Sequence, residues 1–296
     1  MRYRLEYALF LAVRALVRLL PMPAVRACGG GLGRLVWCVD HFHRKVALDN
    51  LAQAFPSRSE RERRAVAAAT FAHFGRLLLE LVKFGTLGRG QILERIEIEG
   101  REHLRQAYQH GRGVLLLTGH FGYWEILGIG YALHVEPISV LARPLDNPYL
   151  HTMLEQIRTC TGNSVIYRQG AVRRILRELG HNRAVAMLID QHLHSDAVYV
   201  DFFNRPAATT SALASLALRT GAPVIPVFAL PLPGGRYRLV CERPVPPPIG
   251  DGPDAIRQFT QRCTDVLEMY VRRHPQMWLW MHRRWRAPAP ASVETP

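Results

Sequence analysis

None of the five cysteines (Cys28, Cys38, Cys160, Cys241, Cys263) stands at the close spacing that zinc binding or dithiol redox work requires. Their odd number and wide scatter point to reduced thiols facing a cytosolic compartment rather than to a disulfide framework. No Gly-x-Ser-x-Gly elbow occurs, so a covalent serine nucleophile is not expected. Gly29, Gly30, Gly31 and Gly33 lack both the Gly-x-Gly-x-x-Gly spacing and a preceding strand, and read as a loop, not a nucleotide cradle. Acidic side chains are the minority charge: 24 Asp and Glu against 38 Lys and Arg leave a net charge of +14. That balance calls for an acidic partner, and nucleic acid, anionic lipid and an acidic carrier protein all qualify. Without zinc spacing or an aromatic ribonucleoprotein motif, and with an apolar N-terminus, nucleic acid is the poorest fit.

Long uninterrupted apolar runs are missing too. The first apolar stretch, LEYALFLAVRALVRLLPM over residues 5–22, has about the length of a membrane span but contains Glu6, Arg14 and Arg18. The arginines and the lack of a clear small-residue cleavage site argue against a cleavable signal peptide. An Arg near a bilayer centre costs roughly 2.5 to 3.5 kcal/mol, which disfavours a deep straight span. Arg14 and Arg18 share one helical face, whereas Leu9, Phe10, Ala12, Val13, Leu16, Val17 and Leu20 cover much of the rest. A helix within residues 1–22 that lies in or dips into the cytoplasmic leaflet fits this pattern. The alternative is a helix packed on the protein's own core.

What is present is a change of period along the chain. Residues 60–84 predict a long helix capped by Ser57 or Ser59, with a stripe at Val66, Ala69, Thr70, Phe74, Leu77, Leu78 and Leu81. From about residue 95, short apolar runs (96–98, 114–117, 138–142, 185–189, 224–230) predict strands, and the segments 102–109, 123–133, 148–160, 172–179 and 212–219 predict helices between them. This alternation predicts an α/β fold: a central mixed sheet with helices on both faces, preceded by N-terminal membrane-associated helices. In such sheets ligands gather beyond the carboxyl ends of the strands. The Pro- and Ala-rich tail over 287–296 reads as disordered.

Residues 114–125, VLLLTGHFGYWE, place a histidine and a glutamate at one of those strand ends. His120 follows the Thr-Gly turn, and Glu125 falls in the first helical turn, where the helix dipole favours a negative charge. Glu125 could then accept a hydrogen bond from one ring nitrogen of His120, leaving the other to take a proton from a hydroxyl. On spacing alone, ordinary turn and surface residues remain the other reading.

The His-x-x-x-x-Glu of GHFGYWE resembles the signature of the glycerolipid acyltransferase superfamily, and further segments narrow the resemblance to the late acyltransferases of lipid A biosynthesis. HRKVALDNLAQAFP, ARPLDNPYL, IDQH, VDFFNRPAATT, TGAPVIPVF and MWLWMHRRWR occur in the expected order along nearly the whole chain. The resemblance implies an acyltransferase domain over 23–286 on the cytoplasmic face of the inner membrane. It further implies acyl carrier protein as donor, a hydroxyl of a Kdo-bearing lipid A precursor as acceptor, His120 and Glu125 as the catalytic pair, and no metal or cofactor. A lysophospholipid or phosphatidylinositol mannoside acceptor with an acyl-CoA donor is the alternative within the superfamily.

Other positions follow from the same motifs. Arg158 resembles an arginine that the family uses for substrate or transition-state charge, and Asp190, at another strand end, resembles its functional aspartate. Arg143, also strand-terminal, is a candidate phosphate contact, with Arg168 a weaker one. His192 and His194 share one side of an extended segment near Asp190, but a further firm ligand is missing and a metal is not expected. Asn204 stands where Gly is common in the family and tolerates the left-handed turn expected there. Trp278, Trp280 and Trp285 interleave with His282, Arg283, Arg284 and Arg286, which suits core packing for at least one indole and lipid phosphate for at least one guanidinium. Deleting residues 1–22 is expected to release much of the protein from membranes on fractionation; full retention in the pellet would place the anchor elsewhere.

Overall fold

The computed structural model describes residues 1–167, 169–192, 197–250 and 252–285. The expectations for Arg168, His194, Arg286 and the 287–296 tail lie outside them.

Four helices open the chain, and their boundaries follow local chemistry. After α1 (Arg2–Leu19), Pro21 stands at the N-cap of α2 (Met22–Val39) and a second proline lies in its first turn. Asp40 caps α3 (His41–Ala54) by accepting the His43 N–H. Ser59 and Glu62 close a reciprocal capping box on α4 (Glu60–Phe84), which spans the residues the periodicity predicts. Of the expected α4 stripe, Thr70, Leu77 and Leu81 are buried and Val66 and Phe74 half-buried, but Ala69 and Leu78 are exposed. Among the described residues α4 alone is long and apolar enough to cross a membrane, yet it carries a largely buried set of side chains inside the protein.

The glycine run is helix, not loop. Gly29, Gly30, Gly31 and Gly33 lie in α2, and the missing side chains let its backbone touch α4. A Cβ on Gly33 would stand 2.0 Å from the Phe71 carbonyl oxygen, and one on Gly75 would stand 2.2 Å from that of Gly29. Close backbone approach outweighs the poor helix propensity of glycine here.

Beyond α4 the chain alternates as expected. The order is α5 (Arg89–Leu93), β1 (Ile96–Glu99), α6 (Arg101–Gln109), β2 (Val114–Thr118), α7 (Trp124–His134), β3 (Ser139–Leu141) and α8 (Pro148–Thr159). Then come β4 (Ser164–Ile166), α9 (Ala171–Gly180), β5 (Ala184–Leu188), β6 (Ala197–Asp201), β7 (Pro206–Thr210) and α10 (Ala212–Thr220). The chain continues through β8 (Val224–Leu232), β9 (Arg236–Cys241) and α11 (Gly252–Arg273). Seven strands form one sheet in the order β1-β9-β8-β2-β5-β3-β4, parallel except where β8 meets β9, and β6 and β7 make a separate antiparallel hairpin. The sheet is thus mixed, as predicted.

Strand alternation sorts the central side chains into two cores. Leu115, Leu117, Val185 and Met187 join one with α9, α10 and α11, while Val114, Leu116, Ala184 and Ala186 join the other with α6 and α7. Burial on both faces explains why β2 and β5 are apolar at nearly every position. Their parallel pairing, Val114 beside Ala184 through Thr118 beside Leu188, brings both carboxyl ends to one rim.

The two kinds of glycine in α2 predict opposite effects. Gly33→Ala is expected to destabilise by about 3 kcal/mol through overpacking. Gly31→Ala, whose Cβ meets nothing within 4 Å, is expected to stabilise by roughly 0.5 to 1 kcal/mol. Thermal unfolding of the two variants reads the contrast, and equal shifts would remove the close-packing explanation.

Candidate active site

The rim formed by β2 and β5 carries a loop whose backbone is fixed from three sides. Gly122 adopts φ 61°, and any Cβ there would lie 2.2 Å from the Ala229 carbonyl oxygen of β8, so only glycine fits. The Tyr123 N–H donates to that same oxygen at 3.0 Å. From α4, His73 Nε2 donates to the Gly122 carbonyl at 3.1 Å; burial lowers the His73 pKa to about 4, so the ring is neutral. From the C-terminal segment, Met277 accepts the Gly122 N–H and the Leu279 N–H donates to the His120 carbonyl.

His120 heads this loop, and the carboxylate that holds its ring is Asp190. Asp190 Oδ1 lies 2.9 Å from His120 Nδ1, and Oδ2 accepts the His120 backbone N–H at 2.8 Å and the Trp278 indole N–H at 2.8 Å. Burial disfavours the Asp190 charge, but His120 and these hydrogen bonds outweigh burial and hold its pKa at about 2. Burial likewise disfavours the imidazolium; the Asp190 charge and hydrogen bond, with Glu125 behind them, outweigh it and raise the His120 pKa above 6.5. With Nδ1–H committed to Asp190, Nε2 carries the lone pair, and Gln191 Nε2 lies 3.3 Å from it. The His120 side chain retains 17% exposure. Trp124 packs edge-on against the ring at 5.3 Å between centroids.

Glu125 occupies the first turn of α7 as expected, but its hydrogen-bonding partner is different. Arg158, in the last turn of α8, donates from Nε to Glu125 Oε2 at 2.9 Å and from Nη2 to Oε1. A forked guanidinium matches both carboxylate oxygens at once, which a ring nitrogen cannot do. Glu125 therefore acts on His120 only through space, while Asp190 makes the hydrogen bond that spacing assigned to Glu125. His120, Asp190, Glu125 and Arg158 stand together. Arg143 lies on the same rim beyond β3 but is exposed and paired with Asp146 at 3.2 Å; among the described residues it makes no hydrogen bond or ion pair with the other four.

The tryptophans and Arg284 show where the terminal motif goes. Trp278 and Trp280 are buried, and Arg284, only 1% exposed, donates to the Ala208 carbonyl and to Thr209 Oγ1 on β7. Arg283 is exposed, with its guanidinium 5.0 Å from the Phe42 ring centroid. The VDFFNRPAATT segment makes the β6–β7 hairpin, whose turn puts both Phe203 and Asn204 at φ 56°. Its Phe202 and Phe203 pack on Trp278 and Trp280, supporting the segment that grips the loop. Gln191, His73 and Gly122 were not expected as parts of the site; GHFG offered a glycine but no sign of its left-handed turn.

Comparison with known proteins identifies the family. Residues 1–287 match the family described as bacterial lipid A biosynthesis acyltransferase. The lipid A biosynthesis lauroyltransferase of Escherichia coli K12 is 28% identical over 289 residues, covering 96% of this chain and 92% of the relative. The lipid A biosynthesis myristoyltransferase of the same organism is 24% identical, covering 89% and 81%. The phosphatidylinositol mannoside acyltransferase of Mycolicibacterium smegmatis is 25% identical over 223 residues, covering 74% and 72%. With its match running from the first helix through the buried tryptophans that hold the histidine loop, the chain belongs to the bacterial lipid A biosynthesis acyltransferase family.

Proposed function

We propose that the protein transfers a fatty acyl group from acyl carrier protein to a hydroxyl of a Kdo-bearing lipid A precursor at the cytoplasmic face of the inner membrane. The observation that carries the mechanism is the 2.9 Å contact between Asp190 and His120 Nδ1, which leaves Nε2 as the base. His120 Nε2 takes the proton of the acceptor hydroxyl as its oxygen attacks the acyl thioester carbonyl. The carbon–sulfur bond then breaks, and the imidazolium returns its proton to the leaving thiolate. Asp190 positions the ring and stabilises the imidazolium. Glu125, fixed by Arg158, orients the acceptor, and Arg158 offers positive charge to the oxyanion. General-base catalysis of this kind contributes about 10²- to 10⁴-fold, with positioning supplying much of the rest.

The donor and acceptor assignments draw on different support. The net charge of +14 suits an acidic carrier protein and a phosphorylated acceptor. Arg143, exposed on the rim, is assigned to an acceptor phosphate. A second reading is phosphatidylinositol mannoside as acceptor with an acyl-CoA donor; the similarity to a phosphatidylinositol mannoside acyltransferase favours that acceptor. Mass spectrometry of products from both acceptors, each offered acyl carrier protein and acyl-CoA donors, separates them. Acylated lipid A precursor supports the first reading, and acylation of only the mannoside supports the second.

His120→Ala and Glu125→Ala are each expected to remove nearly all turnover while the protein stays folded and membrane-bound; near-normal turnover by either variant would sink the mechanism. A base must be neutral, so the rate is expected to rise with pH through the raised His120 pKa, above 6.5. Asp190→Asn removes the raising charge but leaves burial, so the inflection should move to lower pH while the plateau falls about 10²-fold or more. The stability contributed by the imidazolium–carboxylate pair runs the other way. It is fully present below the ordinary histidine value and is lost as pH rises through the raised one. A pH–rate profile that keeps its inflection in Asp190→Asn would show that Asp190 does not act through the ring.

A further inference from the structure

Helix α1 presents three faces, and only one meets the protein core. Phe10, Val13, Val17 and Leu20 pack with Val25 of α2 and with Leu79 and Val82 of α4. Leu5, Leu9, Leu16 and Leu19 form an exposed apolar stripe, with Leu19 83% exposed. Leu11, Arg14, Ala15 and Arg18 follow the i, i+3, i+4, i+7 spacing of a third face, and together with the 85–88 turn after α4 they line a cavity of about 600 Å³.

The cavity combines unpaired positive charge with apolar walls. Among the described residues neither Arg14 nor Arg18 has a carboxylate within salt-bridge distance, and the nearby acid of α1, Glu6, is taken by Arg2 and Asn147. The next cation, Lys83, donates to the Val17, Arg18 and Leu20 carbonyls that end α1, which fixes the helix against α4. Burial, and after it the charge of Arg95, lowers the Lys83 pKa. Leu11 and Ala15 of α1 face Leu87 across the cavity.

We propose that this cavity holds the phosphate of an anionic bilayer phospholipid between Arg14 and Arg18, with the glycerol and the first part of an acyl chain against Leu11 and Leu87. Two guanidiniums four residues apart match a phosphate diester, and among the described residues no carboxylate lies within salt-bridge distance of either. The exposed stripe on the neighbouring face of α1 puts the cavity mouth beside the bilayer, where a lipid can reach it without leaving the leaflet. The site shares no residue with the His120 rim and does not depend on which acceptor is acylated. It gives α1 a reason to keep Arg14 and Arg18 in the otherwise apolar stretch over 8–20: they set the depth and rotation of the helix against one bound lipid.

The test is native mass spectrometry of the full-length, detergent-purified protein titrated with phosphatidylglycerol or phosphatidylcholine. The wild type is expected to retain phosphatidylglycerol in preference to phosphatidylcholine. Arg14→Gln combined with Arg18→Gln should weaken retention roughly ten- to thirtyfold, the effect of removing two basic contacts with an anionic lipid. Ala15→Trp, which fills the cavity and keeps both charges, should weaken it comparably, while circular dichroism and acyl transfer in detergent stay unchanged in both variants. Equal retention by these variants, equal retention of phosphatidylcholine, or displacement of the lipid by matched concentrations of glycerol phosphate would each overturn the proposal.

Discussion

One carboxylate ties the rim together. Asp190 accepts from the His120 backbone, the His120 ring and the Trp278 indole, and so joins the end of β5, the loop after β2 and the C-terminal segment. A buried carboxylate would ordinarily be driven toward its neutral form; three donors reverse that and keep it charged. The fold serves this arrangement in a specific way. Parallel pairing of β2 with β5 sets the two strand ends level, and the β6–β7 hairpin packs its phenylalanines behind the tryptophan that supplies the third donor. Arg284, buried on that hairpin, holds the far end of the same segment.

The second charged pair obeys a different constraint. Glu125 and Arg158 come from α7 and α8, neighbouring helices rather than strand ends, and their bidentate pairing fixes both side chains beside the imidazole. Two carboxylates near one histidine thus have separate tasks set by their partners. Asp190, facing Nδ1, determines the tautomer. Glu125, held by a guanidinium, stays beside the ring, where its charge adds to that of Asp190 in raising the His120 pKa.

Much of this was legible from the chain because it depends on local pattern. Helix α4 could be read from its Ser59 cap and apolar period, and β2, β5 and β8 from apolar runs. GHFGYWE fixed where His120 and Glu125 would sit. Tertiary pairing was not legible: nothing near Glu125 says that a residue 33 positions away would claim it, or that His120 would reach 70 positions to Asp190. The α2 glycines misled because close helix contact and loop flexibility both select glycine, and only the α4 backbone distinguishes them. Helix α11 was missed although Ala255, Phe259, Cys263 and Leu267 recur every four residues and are buried. Strand β9 was missed because RYRLVC alternates with arginines and resembles an edge segment, yet it lies between β1 and β8.

The N-terminal helices reach the rim through a buried polar cluster. Glu80 of α4 is fully buried, with Arg26 of α2 at 3.5 Å and the hydroxyls of Tyr123 and Tyr237 as donors. Burial pushes its pKa up to about 7, and Arg26 opposes that rise. Tyr123 is the residue whose backbone fastens the histidine loop to β8, so Glu80 holds by its side chain what Ala229 holds by its main chain. His73, two turns earlier on α4, holds the preceding carbonyl. The long helix therefore grips the loop at two consecutive residues and, on its opposite side, packs against the α2 glycines. Arg26 joins α2 to this cluster, so a contiguous set of contacts runs from α2 through Glu80 and Tyr123 to the histidine loop, which makes the second helix part of the framework of the rim.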